Sequence, residues 1–94
     1  GTRRGATVFF DKDSESGKQL AVCIQSSMNS MENAATSHSP LVGDYYMLKC
    51  TESPSVIVEC GFLSNADDEA LLCDSEYRKS VAYAIFAGAV SYFA

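Results

Sequence analysis

Apolar residues along the chain change their spacing several times, and each change marks an element. Residues Ala6 to Phe10 form a short run of β-favouring residues after Gly5, which predicts a strand. From Leu20 the spacing becomes helical: Leu20, Ile24, Met28 and Met31 fall on one face, predicting an amphipathic helix of about four turns. Its start lies in the polar stretch Asp11 to Gly17. Ser16 with Gln19 fits a capping box, and Asp13 or Ser14 competes as the cap. Asn33 to Gly43 reads as a loop punctuated by Pro40 and Gly43. Tyr45 to Leu48 reads as a second strand and Ser55 to Cys60 as a third. In the third, Val56, Ile57 and Val58 form an unbroken β-branched run, the pattern of a strand covered on both faces in the middle of a sheet.

Gly61 ends that strand. Asn65 is a good helix cap, followed by Asp67, Asp68 and Glu69, whose charges suit the first turn of a helix running to about Cys73. Asp74 and Ser75 open a last helix, with Val81, Ile85, Gly88 or Ala89, and Tyr92 on one face. The small residues Ala82, Ala84, Ala87, Gly88 and Ala89 make it slim, which suits close packing on a sheet. The expected order is β-α-β-β-α-α: one α/β unit of about three strands and three helices, without repeat or linker.

Composition narrows the function. At 47% apolar and 20% charged residues, the 94-residue chain is globular and too apolar for disorder. Its net charge of −5 argues against nucleic-acid binding, which needs a basic stripe. The one dense basic spot, Arg3-Arg4, reads as a solvated terminus. No apolar run reaches the ~20 residues that span a bilayer, and Val81 to Ala94 reads as a buried helix. No signal peptide is expected within these residues, and Gly1-Thr2 does not look like a natural start. Cys23, Cys50, Cys60 and Cys73 lack CxxC spacing and lie in apolar surroundings, so buried free thiols are expected rather than zinc ligands or disulfides.

Candidate chemistry centres on Glu59. It sits at the end of the most apolar strand, just before Gly61, and ligand sites in α/β sheets gather beyond the carboxyl ends of strands. From position alone, a catalytic base and a locally paired strand-end glutamate are both open readings. His38 is the single histidine, in a polar loop, and cannot build a His-rich zinc site. A Cys60 nucleophile with His38 as its base lacks the electropositive setting that a reactive thiol needs.

The stretch Pro54-Ser55-Val56-Ile57-Val58-Glu59-Cys60-Gly61-Phe62-Leu63-Ser64-Asn65 resembles the signature of zinc-dependent N-acetylmuramoyl-L-alanine amidases. That signature reads Pro, a small residue, three apolar residues, Glu, any residue, Gly-Phe, an apolar residue, Ser-Asn. Gly5 to Phe10 resembles the family's strand after its second zinc histidine, Leu20 to Met31 the next helix, and Tyr45 to Lys49 the strand before the signature. The resemblance covers nearly all of the chain but only the second half of the family's domain, so residues 1–94 are expected to be its C-terminal portion and part of a three-layer α/β/α fold.

The resemblance implies a bacterial peptidoglycan hydrolase of the cell wall, periplasm or exterior, cleaving the amide between N-acetylmuramic acid and L-alanine. It makes Glu59 the general base that takes a proton from zinc-bound water and passes it to the leaving amine. Phe62 and Asn65 would shape the loop, Asn65 as a cap. The zinc is implied to be held by His, Glu and His, all expected upstream of Gly1. No metal ligand is assigned within the chain, no substrate-binding residue is identified, and the 94 residues alone are expected to be inactive. Half a domain also leaves a sheet edge and apolar faces uncovered, so self-association is expected. The alternative is a non-catalytic domain that binds peptidoglycan or a protein partner on the same scaffold.

Overall fold

The computed structural model describes all residues except 1–4, 33, 35, 36 and 63; Arg3, Arg4 and Leu63, to which the sequence assigned roles, therefore lie outside the described residues. Three strands and four helices follow in the order β1 (Thr7–Phe10), α1 (Glu15–Asn29), β2 (Leu41–Val42), α2 (Tyr46–Lys49), β3 (Ile57–Glu59), α3 (Ala66–Cys73) and α4 (Ser75–Phe93). This is the expected β-α-β-β-α-α succession with one single-turn helix added.

β1 lies in the centre of the sheet, parallel to β2 on one side and antiparallel to β3 on the other. Two expectations change here. Tyr45 to Leu48 is not a strand: the chain turns helical at Tyr46, and the second strand is the two-residue Leu41–Val42 within the expected loop. β3 is an edge of this sheet rather than its middle, and its residues are half-buried rather than covered on both faces.

The pleat of β1 sorts the two faces of the sheet. Val8 and Phe10 join Leu20, Ala21, Ile24 and Met28 of α1 and Ala84 of α4 in the core. Val56 and Val58 pack against that cluster from the β3 side. Thr7 and Phe9, with their partners Glu59 and Ile57, occupy the opposite face. There Phe9 meets the Tyr45 ring edge-on, with centroids 5.7 Å apart.

α1 starts at Ser14, whose side chain accepts from the Gly17 N–H at 2.9 Å. Ser14 therefore wins over Ser16 as the cap, and Gln19 turns instead to Glu15 on the same face. On the inner side, Gln25 is fully buried. Its Oε1 accepts from Val8 N–H at 2.9 Å and its Nε2 donates to the Ala6 carbonyl at 3.0 Å. β2 pairs only with Phe9 and Phe10, so the Gln25 amide supplies the bonds that a longer neighbouring strand would make.

α4 presses against α1 more than against the sheet. A Cβ at Gly88 would lie 2.6 Å from Ile24 Cα and 2.9 Å from the Cys23 carbonyl, so only glycine permits this approach. The slimness read from the sequence thus serves a helix–helix contact. The outer side of α4 also departs from the buried helix expected over Val81 to Ala94, since Tyr83, Phe86, Val90 and Phe93 are exposed. Among the described residues, no helix is long and apolar enough to cross a membrane.

Candidate active site

Glu59 is the last residue of β3, directly opposite Thr7 in the antiparallel ladder. It is half-buried, and among the described residues no hydrogen bond or ion pair holds its carboxylate. Residues facing each other across such a ladder share one face of the sheet. Glu59 thus points away from the α1–α4 core, while Cys60, next in the chain, points toward it. Cys60 lines a cavity of about 230 Å³ with Leu72, Val81 and Ile85.

The segment after Glu59 is held by one buried carboxylate. Asp68, 3% exposed, accepts from Phe62 N–H at 2.9 Å and from Gly5 N–H at 2.8 Å, both on Oδ2. Gly5 has φ of 93°, a left-handed conformation that glycine adopts without penalty. Asn65 caps α3 by accepting from the N–H groups of Asp67 and Asp68, which fixes the backbone that carries the clamp. The start of β1 and the exit from β3 are therefore tied to the same helix end. The sequence showed Asp68 only as an acidic residue in a first helical turn. Its role needs the 63-residue separation between Asp68 and Gly5 to close, which no local pattern reports.

At the other end of β1, Asp11 and Lys49 form an ion pair at 2.6 Å, with Asp44 a second partner of Lys49 at 3.5 Å. The Lys49 ammonium holds the Asp11 carboxyl below the usual carboxylate range, and Asp11 in turn holds Lys49 above its ordinary value. This pair lies at the opposite end of the strand from Glu59.

The remaining candidates separate in space. His38 precedes β2, which lies across β1 from β3. Its backbone N–H and carbonyl are both engaged by the Asn29 side-chain amide. Two inter-strand spacings, about 10 Å, thus divide it from Cys60. Burial pushes the Cys60 thiol up, opposite to what a nucleophile needs. All four cysteines are free, but the expectation of burial fails: Cys50 and Cys73 are exposed and Cys23 and Cys60 half-buried. Cys50 ends the single turn of α2, where its Sγ donates to the Tyr46 carbonyl, and so never reaches the core.

A zinc ion does not fit the residues present. Among the described residues, no three His, Cys, Asp or Glu side chains are placed to hold a metal. His38 stands apart from Glu59, and Asp68 spends its Oδ2 on backbone N–H groups.

Comparison with known proteins decides the family. Residues 1–91 match the family described as N-acetylmuramoyl-L-alanine amidase. The chain belongs to that family. It is 32% identical over 89 residues to the probable cell wall amidase LytH of Staphylococcus epidermidis, covering 95% of this chain and 30% of that protein. It is 31% identical over 90 residues to the germination-specific N-acetylmuramoyl-L-alanine amidase of Bacillus subtilis, covering 95% and 38%. The CwlD amidase of Clostridioides difficile, solved in complex with the GerS lipoprotein, superposes with a TM-score of 0.92 at 35% identity. That match covers 98% of this chain and 47% of CwlD. The catalytic domain of CwlV from Bacillus (Paenibacillus) polymyxa gives 0.85 at 25% identity, with coverages of 98% and 50%. The chain thus spans about half the length of these solved amidases and about a third of the curated relatives.

Proposed function

We propose that this chain supplies the carboxylate-bearing part of a peptidoglycan amidase that cleaves the bond between N-acetylmuramic acid and L-alanine, with Glu59 as general base. The observation that carries this reading is the state of Glu59. It ends its strand half-buried and without a partner among the described residues, and the segment beyond it is clamped by Asp68. A charged group kept free at a braced strand end is available to take a proton from an attacking water and return it to the leaving amine. A glutamate that served to pair or cap locally at the strand end would have a partner there.

Zinc belongs to this reading through the family and through donors outside the described residues. No step is assigned to it from the side chains present. The substrate is peptidoglycan, which places the enzyme at the cell wall or outside the cell, and the 94 residues alone are inactive. The test is release of peptide from purified peptidoglycan by the complete enzyme, with and without a chelator. Wild type should be active and chelator-sensitive, and Glu59→Gln should lose about 10²–10⁴-fold in rate, the range that a general base contributes. Undiminished hydrolysis by Glu59→Gln would remove the base. Peptidoglycan binding without hydrolysis by wild type would favour the binding-only domain.

A further inference from the structure

Thr7 is one of the three largest fully buried side chains among the described residues, at 1% exposure, and its Oγ1 has no hydrogen-bond partner among them. A buried hydroxyl left without a partner costs on the order of 1–3 kcal/mol, so such a group is uncommon in a folded core. Thr7 is also the residue directly opposite Glu59 in the β1–β3 ladder. The Cβ atoms of opposed residues lie about 4.5–5.5 Å apart on the same face of a sheet. A donor without an acceptor therefore stands opposite an acceptor without a donor in the ladder.

We propose that Thr7 is a positioning residue: its hydroxyl donates to one carboxylate oxygen of Glu59 and aims the other at the reacting groups. The proposal rests on the reading of Glu59 as general base. Threonine suits the task because its branched Cβ allows few χ1 rotamers on a strand, so the position of its oxygen is set by the backbone. That backbone is in turn fixed by the bond from Gly5 N–H to Asp68 two residues earlier.

The test compares Thr7→Val, which keeps the shape and deletes the hydroxyl, with Thr7→Ser, which keeps the hydroxyl, and with Glu59→Gln, all in the complete enzyme acting on peptidoglycan. Thr7→Val should lower kcat about tenfold, as expected for one hydrogen bond to a charged group, with KM changed less than about twofold; Thr7→Ser should recover most of the loss. In NMR spectra of the complete wild-type enzyme, the Thr7 hydroxyl proton should exchange slowly and show a cross-peak to the Glu59 γ-protons. A Thr7→Val enzyme with wild-type kcat beside an inactive Glu59→Gln would overturn the assignment and leave the base in place. A loss that Thr7→Ser does not restore, or a hydroxyl proton without contact to Glu59, would overturn it equally. Full activity in Glu59→Gln would instead fail the functional reading itself.

Discussion

The two ends of β1 treat charge in opposite ways. At the Phe10 end the chain turns straight into α1, and the Asp11 and Ser14 side chains are both engaged. Asp11 pairs with Lys49 and accepts from Asp13 N–H, its carbonyl accepts from Ser14 N–H, and Ser14 caps the helix. At the Thr7 end the backbone is braced equally well by Asp68, yet two side-chain groups are left over, the Thr7 hydroxyl and the Glu59 carboxylate. A carboxylate at a strand end is therefore not informative by itself. What separates a structural one from a chemical one is whether the fold has already consumed its lone pairs.

The largest effect that would sharpen this contrast is the Glu59→Gln loss of activity, accompanied by a stability change within about 0.5 kcal/mol, because glutamine keeps the shape and an oxygen that can accept from Thr7. A large drop in unfolding free energy in urea would show that Glu59 is structural after all. Next comes a change that should weaken both ends together. Gly88→Val forces side-chain atoms into the α1 backbone beneath the whole strand and should cost about 2–3 kcal/mol in the same assay. A neutral result would mean that α4 does not sit on α1 as described.

At the Asp11 end, Ser14→Ala should cost about 1 kcal/mol, while Ser16→Ala should change little. The complete enzyme carrying Ser14→Ala should keep its kcat. The smallest effect is Lys49→Met. The lowered Asp11 value makes the pair stabilising above the unfolded carboxylate range near 3.9, with that stability lost as pH falls through the folded value. The raised Lys49 value makes it stabilising below about 10.4, lost as pH rises through the folded value. The melting-temperature difference between wild type and Lys49→Met should therefore be flat between about pH 5 and 9 and fade outside that window. A constant difference down to pH 2 would mean that the pair contributes nothing through charge.

Much of this architecture was legible in the sequence because it rests on local rules. α1 and α4 announce themselves by period and cap, and the Asn65 cap by its side chain and the acids behind it. The failures have physical causes. Four residues, Tyr46 to Lys49, cannot distinguish a period of two from one of 3.6, and the Tyr46 and Met47 side chains face solvent rather than a core. β2 is two residues long and carries no pattern at all. The place of Glu59 at the end of a strand was legible from its motif. Thr7 and Asp68 could not, because each matters through a partner more than 50 residues away.

Gln25 has a consequence for how the sheet can grow. Its amide fills the β1 edge alongside Ala6 and Val8, where an incoming strand would otherwise dock, and it is held there by the buried face of α1. Beyond it, β2 offers only two residues, directly after Pro40. That flank of the sheet is plugged by a side chain, leaving β3 as the flank where a further strand can add. Any exchange of strands between copies is therefore directional: it runs through the edge that carries Glu59, and a second molecule joined there would sit beside the carboxylate. Light scattering paired with protection of the Val58 amide from hydrogen exchange would reveal such a complex.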